Sequence, residues 1–194
     1  MLKKYVNVYT ESNPNPNSMK FVLNYLLVPE NTSFDFPDAA SAENSPLAQA
    51  LFEFEYVRRV FIMNNFITVT KDDTTQWENI VLPLKKFVKE YMEDNKPVFT
   101  VQKIDEYKAG EADENDPEIV QKIKHLLEEY VRPAVESDGG AINFHSYEDG
   151  VVKVLLQGSC SGCPSSTITL KAGIENLLKR MLPEDVKEVV AEGI

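Results

Sequence analysis

A chain of 194 residues leaves room for one domain or two at roughly 150 residues each. Its 43% hydrophobic and 26% charged residues are ordinary for a globular protein, which excludes a collagen-like, disulfide-dense or wholly disordered chain. A formal charge of −11 repels phosphate backbones, so no nucleic-acid partner is expected. No apolar run approaches the ~18 residues of a membrane span. The greasy stretches 21–28 and 60–69 are interrupted by Asn24 and by Asn64 and Asn65, so no membrane partner is expected either.

Residues 1–104 read as a mixed α and β domain. Strands are expected near residues 4–10 and 19–28. Ser45-Pro46, a cap residue followed by Pro, marks the start of a short helix. Val57–Met63 and Phe66–Lys71 are β-rich and flank Asn64-Asn65, a joint suited to a tight hairpin because Asn tolerates positive φ. Ile80, Val81, Leu84, Phe87, Val88 and Tyr91 then recur at helical spacing, giving an amphipathic helix to pack on the sheet. A last strand is expected over residues 97–104.

Residues 105–118 hold seven acidic side chains and a single basic one, Lys108. Such a segment buries too little apolar surface to offset its ordering entropy. Residues 105–116 are therefore expected to form a flexible, extended acidic linker. Asp116-Pro117 reads as an N-cap with Pro at the first helical position, opening a second domain over residues 117–194. There Ile119, Ile123, Leu126, Leu127, Tyr130 and Val131 form a helical stripe that Asp138-Gly139-Gly140 breaks. Strands over 141–147 and 151–157 flank a Glu-Asp-Gly turn. From Pro164 the pattern is helical again, with Ile168, Ile174, Leu177, Leu178 and Met181 on one face. Pro183 ends that helix, and Val186–Val190 closes as a strand. The fold class is α+β: two small mixed domains, the second of order helix, strand, strand, helix, strand.

The only cysteines, Cys160 and Cys163, lie in Gly158-Ser159-Cys160-Ser161-Gly162-Cys163-Pro164-Ser165-Ser166. Their scarcity and close spacing indicate a reducing compartment, with metal binding or redox chemistry rather than loop closure. With no apolar core after the N-terminal lysines, the chain reads as cytoplasmic and without a signal peptide. The pair falls between a strand end and a helix start, where free N–H groups and the helix dipole favour thiolate. Gly and Ser neighbours are expected to keep the site open, and an apolar-core role for the cysteines fits those neighbours poorly. A dithiol–disulfide oxidoreductase, a zinc-stabilised interaction module and an iron–sulfur site remain, although thioredoxin's flanking aromatic and intervening Pro are missing. Zinc and iron–sulfur sites normally take four protein ligands, and one chain supplies two thiolates. His125, on a charged helix stretch, and His145, within a strand, have no metal-like spacing to the pair. The simplest completion is a two-fold homodimer with two Cys from each chain.

These residues resemble the Nfu family of NifU-like iron–sulfur proteins. The resemblance of residues 117–194 rests on Val131-Arg132-Pro133-Ala134, Asp138-Gly139-Gly140 and the Cys160–Cys163 segment. The first domain is similar to the family's N-terminal domain through Asn13-Pro14-Asn15-Pro16-Asn17-Ser18-Met19-Lys20-Phe21, Ser45-Pro46-Leu47-Ala48 and Phe66–Lys71. Tyr56 departs from a frequent Gly, which questions the local turn. The resemblance implies a carrier rather than an enzyme, with Cys160 and Cys163 as ligands of a [4Fe–4S] cluster bridging two subunits. It implies an upstream cluster scaffold as donor and apo iron–sulfur proteins as recipients. By turn chemistry, the Asn-Pro loop and the Asp-Gly-Gly run are read as structural.

Overall fold

A computed structural model describes residues 4–100, 116–161 and 164–193, the side chains of residues 164–167 excepted. The chain divides into two compact units, Met1–Lys108 and Ala109–Ile194. Most of the expected acidic linker lies outside the described residues.

The first unit is built on a five-stranded sheet of order β1-β2-β5-β4-β3, with every neighbouring pair antiparallel. The strands are β1 (Val8–Ser12), β2 (Ser18–Leu23), β3 (Ser33–Phe36), β4 (Val57–Met63) and β5 (Phe66–Lys71). Two helices, α1 (Pro46–Phe52) and α2 (Trp77–Glu93), complete the unit. The Asn64-Asn65 hairpin forms as expected: Met63 pairs with Phe66, and Asn64 takes a φ of 46°. Ser45 caps α1 by accepting from the Ala48 N–H at 3.2 Å, and Pro46 opens the helix. The α2 stripe buries Ile80, Leu84, Val88 and Tyr91 against the core, with Val81 and Phe87 partly buried beside them.

Three expectations for this unit need correction. The first two strands are shifted or shortened: β1 starts at Val8, and β2 ends at Leu23 rather than residue 28. Strand β3 was not anticipated, although Phe34 and Phe36 alternate inward along it; it is a short edge strand paired only with β4. Residues 97–100 are not a strand, and 101–104 lie outside the described residues. The polar groups of 97–100 bind elsewhere: Ser45 Oγ donates to the Val98 carbonyl at 2.8 Å, Tyr91 OH to Pro97 at 2.8 Å, and the Thr100 N–H to Asn44 at 3.0 Å. The Phe99 ring packs 4.2 Å from that of Phe34. Tyr56 does not disturb its turn: it is not among the positive-φ residues, and its carbonyl accepts from the Asp72 N–H at 2.9 Å.

In the second unit, α3 (Glu118–Leu126) runs through a π-helical segment, Leu127–Val131, into α4 (Arg132–Ser137). Pro133 explains the widened turn. It has no N–H for the carbonyl four residues back, and the Arg132 N–H instead reaches the Leu127 carbonyl, five back. Tyr130, expected in the apolar stripe, is turned out and 53% exposed. Asp116 does not cap α3. Its carboxylate lies 2.6 Å from Lys124 Nζ, and the backbone of Pro117 enters the helix.

The second sheet has the order β6-β7-β8, with strands β6 (Gly140–Glu148), β7 (Val151–Gly158) and β8 (Glu188–Gly193). Strands β6 and β7 are an antiparallel hairpin turning at Asp149 and Gly150, both at positive φ. Helix α5 (Pro164–Met181) is the crossover to β8, which lies parallel to β7. Glu175 secures the crossover: one carboxylate oxygen accepts from the Val189 N–H at 3.1 Å, the other from Lys179 Nζ at 2.6 Å. Those two donors hold its carboxyl below the usual range. The helix–strand–strand–helix–strand order is as expected. The α5 face is not: Ile174 and Leu178 are buried, but Ile168 and Met181 are 72% and 47% exposed.

Candidate functional site

Cys160 lies in the short turn between β7 and α5, and its position depends on the end of α4. Gly139 takes a φ of 79° and stops that helix, its N–H bonding the Glu136 carbonyl at 3.0 Å. The next residue, Gly140, begins β6 directly opposite Gly158, the last residue of β7. The chain then turns back over this junction. Gly158 takes a φ of 65°, the Ser159 N–H bonds the Gly139 carbonyl at 3.3 Å, and Ser159 Oγ donates to the Asp138 carbonyl at 2.5 Å. The Ser161 N–H closes the turn on the Gly158 carbonyl at 3.2 Å.

The Asp-Gly-Gly run is thus more than a helix stop. A Cβ on Gly140 would lie 2.5 Å from the Gln157 carbonyl oxygen and 3.1 Å from Cys160 Sγ. Gly140 is the floor on which the cysteine sulfur rests. A sequence clue was available: one glycine suffices to end a helix, so the second needed its own reason.

The site is not open as expected. Ser159, Cys160 and Ser161 are 2%, 4% and 7% exposed, and Cys160 packs into the apolar core of the unit with Ile142, Leu156 and Ile174. The reason is the Gly140–Gly158 pairing, which folds the turn inward over a surface with no side chains to hold it off. The neighbours of Cys160 along the chain are polar, but the apolar cluster it joins is made by residues of β6, β7 and α5. Cys163 lies outside the described residues. His125 is exposed on α3 with its Nε2 3.2 Å from Glu129, and His145 is exposed at the β-bulge between Phe144 and Ser146. Among the described residues no group of three His, Cys, Asp or Glu side chains is placed to hold a metal ion.

The Asn-Pro loop of the first unit has the turn chemistry its sequence indicates. Asn13 Oδ1 accepts from the Asn15 N–H at 3.1 Å and from Ser18 Oγ at 2.8 Å, and Asn15 Oδ1 accepts from the Asn17 N–H at 3.0 Å. The buried Lys71 ammonium donates to Asn17 Oδ1 at 3.0 Å, and Trp77 Nε1 to the Pro16 carbonyl at 2.9 Å. Next to Lys71, the Asp72 carboxylate accepts from the Thr75 and Thr74 N–H groups at 2.7 and 3.0 Å. These bonds, the Thr75 one foremost, lower its pKa from 3.8 to about 2.

One α+β unit carrying a cysteine turn between a strand and a crossover helix, and a second α+β unit in the same chain, define a two-module protein. Residues 8–95 match the family model described as "Scaffold protein Nfu/NifU N terminal", and residues 123–190 match that of the NifU-like domain. A human protein, "NFU1 iron-sulfur cluster scaffold homolog, mitochondrial", is 42% identical over 93% of this chain and 70% of its own. The protein of the same name from Drosophila willistoni is 39% identical over 100% of this chain and 67% of its own. "NifU-like protein 5, mitochondrial" from Arabidopsis thaliana is 41% identical over 95% of this chain and 67% of its own. The chain belongs to the Nfu/NifU family of scaffold proteins, which are not enzymes.

The relatives also correct the expected location. They are named mitochondrial, which points to mitochondria rather than the cytoplasm. Cysteine usage reports only how reducing a compartment is, and more than one compartment meets that condition.

Proposed function

We propose that the protein is an iron–sulfur cluster carrier that binds a [4Fe–4S] cluster between two copies of the chain, through Cys160 and Cys163 of each, and passes it to apo-proteins. The observation that carries this reading is the cysteine turn between β7 and α5, within the segment that matches the NifU-like domain. The names of the relatives support the cargo.

The donor set fits such a cargo. Thiolate is the usual ligand of iron in these clusters, and four are required where one chain has two. Because Cys160 rests on Gly140 and is 4% exposed, loading requires the Ser159–Ser161 turn to swing outward. Release is ligand exchange, in which recipient thiolates replace Cys160 and Cys163 at iron with no net redox change. The same exchange in reverse accepts the cluster from an upstream scaffold.

The test is anaerobic reconstitution with iron and sulfide, followed by Mössbauer spectroscopy and mass measurement in solution. One [4Fe–4S] cluster per dimer is expected, and Cys160→Ser or Cys163→Ser abolishes it. A cluster held by a strict monomer refutes the bridging site. A wild-type chain that folds only with zinc refutes the carrier reading in favour of a structural zinc site.

A further inference from the structure

Serine is mostly an exposed residue, yet Ser159 is buried in a turn. A side chain needed there only to be small could be alanine, which has no hydroxyl to strip of water. The hydroxyl of Ser159 is bound on both sides. Its proton goes to the Asp138 carbonyl at 2.5 Å, just past the end of α4, where the Ser159 N–H also reaches the Gly139 carbonyl at 3.3 Å. The same oxygen lies 3.7 Å from Cys160 Sγ and is left to accept from the thiol. One side chain thus ties the cysteine sulfur to the backbone at the end of a helix.

That tie opposes the movement loading requires. On the carrier reading given above, on which this inference rests, Cys160 must leave its place over Gly140 to reach a cluster shared with a second copy. Ser159 is the residue before it, so swinging the turn outward draws its hydroxyl off the Asp138 carbonyl. We infer that the Ser159 hydroxyl is the latch of the cysteine turn: it holds Cys160 closed in the cluster-free chain and sets how often the turn opens to receive a cluster. Ser159 is a positioning residue. The cysteines hold the iron, and the hydroxyl acts through where it keeps Cys160.

The test follows the thiol of the cluster-free full chain, then cluster uptake. In a Cys163→Ser background, alkylation of Cys160 by iodoacetamide is timed in dilute urea, below the unfolding transition. Each rate is divided by that of the same protein fully unfolded, which removes differences in intrinsic thiol reactivity. Ser159→Ala is expected to raise this ratio about fivefold, the factor one net hydrogen bond sets on a closed–open equilibrium. The ratio should not change with urea over this range, because a local opening exposes little surface. Val152→Ala is the control. It leaves a cavity at the opposite end of β7, lowers the melting temperature of the unit, and leaves the ratio unchanged. With both cysteines present, Ser159→Ala is expected to take up a cluster from iron and sulfide faster than wild type and to reach the same final content. If Ser159→Ala melts lower but keeps the wild-type ratio, the hydroxyl serves stability alone and the latch is refuted. Wild-type alkylation that climbs with urea from the start refutes it too, since Cys160 is then reached only by unfolding of the unit. If Ser159→Ala frees Cys160 yet loads no faster, the latch fails and the carrier reading stands. If Cys160 is freed but the wild type takes up no cluster, the carrier reading falls and the loading role with it.

Discussion

Substituting Gly140 by alanine tests the description of the cysteine turn most directly. The new methyl group would sit 2.5 Å from the Gln157 carbonyl oxygen, far inside contact distance, and 3.1 Å from Cys160 Sγ. The oxygen belongs to β7, paired with β6 at this point, so it cannot withdraw without opening the end of the ladder. The sulfur can move, but only by lifting the Ser159–Ser161 turn off its support. Overpacking of this kind costs about 1–3 kcal/mol. For a domain of this size each kcal/mol lowers Tm by about 4–8 °C. The φ of Gly140 is not positive, so none of the cost is backbone strain. Calorimetry of the full chain should show the second unit melting several degrees lower, and reconstitution should show reduced cluster uptake. Gly173→Ala is the internal control: the same substitution in the same unit, with open space around it and the opposite expected sign. A Gly140→Ala protein with wild-type melting and wild-type cluster content would refute the supporting role of Gly140.

Two further predictions concern the first unit and the independence of the two. Because Asp72 has its pKa lowered in the folded protein to about 2 from 3.8, its stabilising contribution is complete above the higher value and lost as pH falls through the lower. The melting difference between wild type and Asp72→Asn should therefore shrink from about pH 4 to about pH 2, and a pH-independent difference would refute the assigned hydrogen bonds. A fragment of residues 117–194 should dimerise around a cluster unaided, since both cysteines lie within it. Losing the first unit should slow transfer to particular recipients. Unchanged rates across a panel of apo-proteins would eliminate recognition as that unit's role, and a fragment unable to hold a cluster would eliminate independence.

Local rules settled much of this protein in its sequence alone. Asn64-Asn65 between two β-rich runs, Ser45-Pro46 before an apolar stretch, and the spacing from Ile80 to Tyr91 each specify an element through contacts between near neighbours. Those elements formed where expected. The cysteine pair stood out for a similar reason, since type and spacing are properties of the chain. Tertiary structure decided what depends on distant partners. Residues 97–100 have strand-like composition but are bound by Ser45, Tyr91 and Asn44, so no ladder forms. Ile168 has the period of a core residue, yet the sheet beneath α5 reaches Ile174 and Leu178 and leaves Ile168 uncovered. Cys160 has polar neighbours in the chain and apolar ones in space, because the pairing of Gly140 with Gly158 brings β6 beneath it. Burial is set by what packs from elsewhere in the chain, and a run of residues carries no record of that until the strands have paired.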